Sequence, residues 1–128
     1  MFEEVDGRNQ AIRLNYGGGE NWFGRGYIQL THINNYQKWS EWTGRDLVSD
    51  PNILINDLDL SANIACSGIQ HGSFTGSGSL ASYNGDWYNA RSIVNGDKKY
   101  RAGCLNGSCW TIGAKIKDLT NNYISLLE

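Results

Sequence analysis

Apolar residues recur at helical spacing in several segments of the chain, most regularly near its C-terminal end. Between Trp110 and Leu127 they follow one another at intervals of four, three, four and three residues (Ile112, Ile116, Leu119, Tyr123 and Leu126). This spacing places them along one face of a helix. The pattern therefore predicts a C-terminal helix over this segment.

A second helix is predicted to follow Thr31. Its apolar residues recur every three positions (Ile33, Tyr36 and Trp39). The Thr31 hydroxyl can cap the first turn, and Gly44 is a typical residue to follow the last turn. We therefore expect a helix between these two residues.

A third helix is predicted to follow the turn at Asp50-Pro51, with Asp57 as its cap. We expect its buried side to carry five apolar or small residues: Leu58, Ala62, Ala65, Cys66 and Ile69. The glycines from Gly72 to Gly78 should end it.

Most of the remaining chain is predicted to be loop. The first 26 residues contain several glycines, and the segment HGSFTGSGSLASYNGD at 71–86 is rich in glycine and serine. A short helix is predicted from Trp87, ending at Asn95-Gly96. The strand-like stretch GYIQLT is too short to anchor a sheet. These elements predict one mainly α domain, residues 1–128.

Charge and hydropathy exclude several kinds of partner. The 11 basic and 13 acidic residues give a net charge of −2, and neither sign forms a long block. Nothing in this distribution indicates nucleic-acid binding. No run approaches the roughly 20 apolar residues of a membrane span, and the start MFEEVDGRNQ lacks the features of a signal peptide. We expect a soluble chain that carries no export signal of its own and has no nucleic-acid or membrane partner.

The cysteines and histidines give little sign of a metal site. Cys104 and Cys109 bracket the short loop CLNGSC, so they could form a disulfide or, in a reducing compartment, remain thiols. Cys66 is then left over. His32 and His71 show no zinc-ligand spacing to the cysteines or to each other. We expect neither a metal nor a cofactor.

The segment FGRGYIQLTHINNY, residues 23–36, places polar side chains between glycines and apolar anchors. In an extended backbone Gln29 and Thr31 would face the same side, together with Tyr27. This pattern is typical of a groove lining. A half-buried edge strand that leads into a capped helix would show the same pattern, and periodicity alone does not distinguish them.

The same segment resembles the signature of the family 19 chitinases and related phage endolysins, in which GRG, one residue and IQLT or IQLS precede an Asn-Tyr pair. DLVSDPNILINDLDLSANIA at 46–65 and YNARSIVNG at 88–96 resemble later family blocks, so the resemblance covers residues 2 to about 101. It implies a lysozyme-like helical domain with a substrate groove. It also implies a glycosidase that cleaves β-1,4-linked N-acetylhexosamine polymers, chitin or peptidoglycan, with inversion at the anomeric carbon.

The resemblance carries roles onto individual residues. Thr31 matches the family residue that helps to position the attacking water. Gln29 and Asn35 match residues that bind the acetamido sugar, and Tyr27 and Asn95 would line the groove with them. For each residue the alternative is a helix cap or a loop hydrogen bond.

An inverting glycosidase also needs two carboxyl groups, a general acid and a base, separated by roughly 6.5–9.5 Å. In the microbial branch of the family the base is the Glu of a Tyr-Glu-Gly-Arg segment. The corresponding letters here are VDGR, which places Asp6 at the base position. Glu4 could substitute for Asp6, and Glu3 is a weaker choice.

The general acid of the family is a Glu in a His-Glu segment upstream of the signature, and no His-Glu pair occurs in this sequence. Three explanations remain open: the chain is a fragment, a partner chain or a second copy completes the groove, or the protein is a catalytically incomplete relative that only binds glycans. The expected partner is the polysaccharide. As a cell-wall hydrolase the protein would act after release or delivery from the cytoplasm.

Overall fold

The computed structural model describes residues 4–128, with side chains from Val5 onward, and this part of the chain is mainly α, as predicted for a lysozyme-like domain. Within it lie seven α-helices: α1 Glu4–Arg13, α2 Ile33–Thr43, α3 Ile53–Asn56, α4 Leu58–His71, α5 Leu80–Tyr83, α6 Trp87–Ala90 and α7 Ile112–Leu127. Two short 3-10 helices span Glu20–Trp22 and Arg91–Ile93, and two strands, β1 Arg101–Leu105 and β2 Ser108–Thr111, form a hairpin. None of the described helices is long and apolar enough to cross a membrane.

The chain divides into two compact units, one ending at Ala65 and one running from Cys66 to Glu128. The boundary falls within α4. Each unit is described by itself below.

The first unit begins with a helix that the sequence analysis missed. The first 26 residues were predicted to be loop, but α1 spans Glu4–Arg13. Gly7, which lies within the segment predicted to be loop, is buried in this helix. A Cβ at Gly7 would come within 2.5 Å of the Phe23 ring, so the glycine lets the helix lie directly against that ring. The glycine therefore serves packing rather than chain reversal.

Helix α2 ends as predicted, with Gly44 in the left-handed conformation directly after Thr43. Its predicted cap is wrong. His32, not Thr31, occupies the position before the first helical residue, and it makes no side-chain cap bond. Instead the His32 Nδ1 accepts a hydrogen bond of 2.8 Å from the Gly17 N–H, which fastens the upstream glycine loop.

Helix α4 has the predicted cap but a different buried face. The Leu60 N–H donates to Asp57 Oδ1 at 2.9 Å, which confirms Asp57 as the cap. The buried residues of this helix are Ser61, Ile64 and Gly68, and the predicted face fails because Leu58 is 59% exposed and Cys66 is also exposed. Small residues at 61 and 68 let neighbouring segments approach α4 closely. The positions of the apolar residues alone could not reveal this buried face of the helix.

The second unit contains the predicted short helix from Trp87, which continues as the 3-10 turn Arg91–Ile93 and ends before Asn95. Asp86 caps it by accepting from the Asn89 N–H at 3.2 Å. Within the predicted glycine- and serine-rich loop, residues 80–83 form the single-turn helix α5. The helix α7 is confirmed close to its predicted bounds.

The hairpin of β1 and β2 was not predicted. Cys104 and Cys109 face each other across its two antiparallel strands and form a disulfide. Gly103 lies under the Trp110 ring, since a Cβ there would be 3.1 Å from Cζ2. These strands lack the alternation of apolar and polar residues on which strand prediction depends.

Candidate functional site

The signature segment forms a tight turn rather than the extended strand that the spacing suggested. Arg25 and Leu30 pair with each other through two backbone hydrogen bonds, of 3.3 and 3.0 Å. Between them Gly26 and Gln29 have positive φ values of 72° and 54°. Such angles reverse the chain, so Tyr27, Gln29 and Thr31 do not share one face of a strand. We call residues 24–30 the signature loop.

The signature loop forms one side of a cavity of about 220 Å³. Tyr27 and Gln29 both line it, and so do Leu54, Ile55 and Leu58. Tyr27 is 65% exposed, so much of its ring faces water. Although the extended backbone was wrong, the structure therefore brings together two of the predicted site residues at an open, largely apolar cavity.

Two glycines allow the signature loop to pack this closely. A Cβ at Gly24 would lie 2.7 Å from Gln29 Oε1, and a Cβ at Gly26 would lie 2.4 Å from Ser61 Oγ. The Gln29 side chain bends back over the loop and donates from Nε2 to the Gly26 carbonyl at 3.0 Å. Larger residues at either glycine would push the loop away from its supports.

Arg25 is the buried residue of the signature loop and is 3% exposed. Its guanidinium lies 3.7 Å from the Phe23 ring centroid, and Nη1 donates to the Asn21 carbonyl at 2.7 Å. Nε donates to Asn52 Oδ1 at 3.0 Å, so Arg25 also fastens the turn before α3. The sequence analysis missed this role. An arginine between two glycines in an otherwise apolar stretch was the available signal.

Tyr36 completes the support from α2. Its hydroxyl accepts from Arg25 Nη1 at 3.1 Å and donates to the Phe23 carbonyl at 2.9 Å. Burial raises the pKa of the Tyr36 phenol, although the hydrogen bond and the charge of Arg25 act in the opposite direction. The phenol therefore stays protonated and keeps donating at neutral pH.

Thr31 and Asn35 form a second pair of predicted site residues. Asn35 Nδ2 donates to the Thr31 carbonyl at 2.8 Å, and both residues are half-buried. This bond fixes the Asn35 amide beside the backbone that leaves the signature loop. Their roles toward a sugar or a water molecule remain predictions.

The candidate base lies on α1. Asp6 is exposed there, and Glu4 is the first residue of the helix, with a side chain outside the described part. Arg8, one turn from Glu4, bonds to Asn21 Oδ1 and lies 3.6 Å from the Glu20 carboxylate. Helix α1 is thereby linked to the segment that leads into the signature loop.

Asn95 lies in the second unit. It is exposed, and its N–H donates to the Arg91 carbonyl at 3.1 Å where the 3-10 turn ends. This bond agrees with the alternative for Asn95, a loop hydrogen bond. The predicted role of Asn95 in the groove stays a prediction. The neighbouring Arg91 and Asp97 pair through two hydrogen bonds, of 2.8 and 2.9 Å.

Across residues 4–128 the structure contains no group of His, Cys, Asp and Glu side chains that could hold a metal ion.

The family model of the class I chitinases matches residues 4–70, which include the signature loop, the cavity and α1. The chain therefore belongs to glycoside hydrolase family 19. A stretch of 46 residues is 39% identical to acidic endochitinase Q of Nicotiana tabacum. That stretch covers 36% of this chain and 18% of the tobacco protein, so the chain spans well under two thirds of this relative. A search of the solved structures found no match.

Proposed function

We propose that this chain is the glycan-binding part of a glycosidase that acts on β-1,4-linked N-acetylhexosamine polymers. The observation that carries the proposal is the cavity beside Tyr27 and Gln29, because it lies within the residues that the chitinase family model matches. Chitin is the substrate that the family and the tobacco endochitinase favour. Peptidoglycan has the same β-1,4-linked backbone and is the second substrate to test.

The cavity suits an acetamido sugar in both its apolar and its polar walls. The exposed Tyr27 ring offers a face on which a pyranose ring can stack. Leu54, Ile55 and Leu58 offer an apolar surface for the acetyl methyl group. The Gln29 Nε2 is already engaged with the Gly26 carbonyl, so Oε1 would be the atom that accepts from the sugar N–H.

The proposed reaction is hydrolysis with inversion. Asp6 or Glu4 would act as the base on a water molecule that Thr31 positions, and a carboxylic acid across the gap would protonate the leaving oxygen. Asn35 would bind the acetamido sugar, and the resemblance implies a sugar-binding role for Asn95 as well. No cofactor takes part in this scheme.

The source of the acid separates this proposal from its rival. Without a general acid the rate should fall about 10²- to 10⁴-fold, and the chain would then bind glycans without cleaving them at a useful rate. The absence of a His-Glu pair from the sequence favours this rival.

We expect the bare chain to show little hydrolysis or to self-associate, and a family-type helix with a His-Glu segment, fused or added in trans, to raise the activity. A monomer of the bare chain with ordinary glycosidase activity would refute that expectation and place the acid within this sequence.

Thr31→Val tests the catalytic scheme. The variant should release reducing ends from a chitin hexamer one to two orders of magnitude more slowly, because the water loses a hydrogen-bond partner. The melting temperature should stay nearly unchanged, since His32 rather than Thr31 occupies the cap position of α2. The assay uses the chain with and without the added helix, on chitin hexamer and on purified peptidoglycan.

Thr120→Val is a matched control on α7, where the threonine hydroxyl donates to the Ile116 carbonyl at 2.8 Å. It should retain the parent rate. Equal rates for Thr31→Val and the parent would remove Thr31 from the mechanism.

A further inference from the structure

Ser61 is a buried polar residue of α4 for which the proposed function gives no role. It is 2% exposed, and Arg25 is the other buried residue of polar or charged type in the described part of the chain. Burying a hydroxyl without a hydrogen bond is unfavourable, so the Ser61 hydroxyl should have a partner. That partner identifies what the residue does.

The partner is the backbone of the signature loop. The Tyr27 N–H donates to Ser61 Oγ at 2.8 Å. Directly before it, Gly26 approaches so closely that a Cβ there would lie 2.4 Å from the same oxygen and 3.3 Å from the Leu54 carbonyl. The loop therefore touches α4 where the loop residue, Gly26, has no side chain and the helix residue, Ser61, has a short one.

We infer that Ser61 is a positioning residue for ligand binding, which it affects through Tyr27 rather than by touching the ligand. Its hydroxyl fixes the backbone of Tyr27, and this backbone sets where the exposed ring stands at the edge of the cavity. Ser61 lines the same cavity, so a shift of the loop toward the vacated space would also narrow the cavity. The inference rests on the proposed binding of acetamido sugars at this cavity.

Other supports hold the ends of the loop but do not replace this bond. Arg25 and Leu30 pair with each other at the base of the turn, and Gln29 bonds to the Gly26 carbonyl. Neither contact reaches the Tyr27 N–H. Without the Ser61 hydroxyl this N–H must find water or leave α4, and the loop gains freedom that a ligand must remove on binding.

The test compares Ser61→Ala with Ser40→Ala. Ser40 is a matched control in the same unit, because its Oγ accepts from the Leu47 backbone N–H at 2.9 Å and it does not line the cavity. Both variants lose one hydrogen bond between a backbone N–H and a serine. Ser40→Ala also loses the bond that Ser40 Oγ donates to the Tyr36 carbonyl at 2.8 Å, so it should lose at least as much stability as Ser61→Ala. Calorimetric titration with the tetramer of N-acetylglucosamine should show a Kd raised about threefold to tenfold for Ser61→Ala and an unchanged Kd for Ser40→Ala.

Hydrogen exchange adds a readout for the loop itself. The Tyr27 amide should exchange faster in Ser61→Ala than in the parent, while the amides of α2 keep their parent rates. If Ser61→Ala does not fold, Ser61→Cys keeps a polar atom at this position, with a sulfur that is larger than the hydroxyl oxygen and a weaker acceptor, and a rise in Kd is again expected.

The outcomes separate this inference from the function on which it rests. A parent chain with no affinity for the tetramer would overturn the proposed function. A parent that binds, together with a Ser61→Ala variant that binds equally well or a Ser40→Ala variant that loses as much affinity, would overturn the positioning role of Ser61 alone.

Discussion

The two units of this chain are stabilised in different ways. Of the apolar residues that are buried in the described part, nine lie in the first unit (Ala11, Trp22, Phe23, Leu30, Tyr36, Trp39, Leu47, Leu54 and Ile64), and Ile93 lies in the second. The second unit instead shows a disulfide and a half-buried ion pair between Arg91 and Asp97. Large buried side chains can hold a loop in one conformation, and the signature loop lies in the unit that has them.

The family relationship follows the same division. The chitinase model matches residues 4–70, which is nearly the whole first unit and little of the second. The side chains that support the signature loop, Arg25, Tyr36 and Ser61, all lie within that match. Under the proposed function the first unit would hold the sugar, and a contribution of the second unit would depend on Asn95.

The largest expected difference between the units concerns their arginines. Arg25→Met should lower the free energy of unfolding by about 3 to 5 kcal/mol, because several buried acceptors lose their donor and each costs about 1–3 kcal/mol. Arg91→Met should cost less, about 1–3 kcal/mol, because it leaves one partner, the mostly buried Asp97 carboxylate, without its donor. Urea unfolding of both variants measures this. Similar losses would mean that the two units do not differ in this way.

A smaller effect tests whether the second unit takes part in binding. Asn95→Ala should weaken binding of N-acetylglucosamine oligomers by about 1 to 3 kcal/mol if a buried amide contact to the sugar is lost. Its stability should change less, because the hydrogen bond to Arg91 uses the backbone of Asn95. Calorimetric titration decides between the two roles. Equal affinity for the variant and the parent would leave Asn95 with its loop role alone.

The smallest effect concerns acid stability. The Leu60 N–H and, to a lesser degree, Arg45 lower the pKa of Asp57, while the hydrogen bonds from Asn89 lower that of Asp86. A carboxyl group whose pKa is lowered in the folded state stabilises the fold at pH values above its unfolded pKa of about 3.9. This stabilisation is lost as the pH falls through the lower, folded-state pKa. Asp57→Asn and Asp86→Asn should therefore each make the unfolding free energy fall less steeply with decreasing pH below about 4. Urea unfolding at several pH values between 2 and 6 measures this pH dependence. If the unfolding free energies of the variants fell with pH as steeply as the parent's, Asp57 and Asp86 would not have lowered pKa values in the folded state.

The sequence predicted well those elements that depend on local signals. The period of α7, the cap at Asp57 and the glycine after α2 each involve residues close together in the chain, and each prediction was confirmed. The candidate site was predicted in part, since Tyr27 and Gln29 do line one cavity.

The failures involve small residues that contact distant segments. Gly7 lies in the segment that was predicted to be loop, but it packs on Phe23. Ser61 was not among the predicted buried residues of its helix, although it is buried and bonds to Tyr27. The reason in each case is a close approach between elements, which periodicity within one element does not reveal. The hairpin around Cys104 and Cys109 was missed because its strands lack alternation.

Sugar binding by the first unit is tested most directly by titrating the isotope-labelled chain with the tetramer of N-acetylglucosamine and following the amide resonances. We expect the largest shifts in the signature loop, in Thr31 and Asn35, and around Leu54 to Ser61. Tyr27→Ala should reduce these shifts at equal ligand concentration. The absence of shifts at millimolar tetramer, or shifts confined to residues 66–128, would contradict the claim that the first unit holds the sugar.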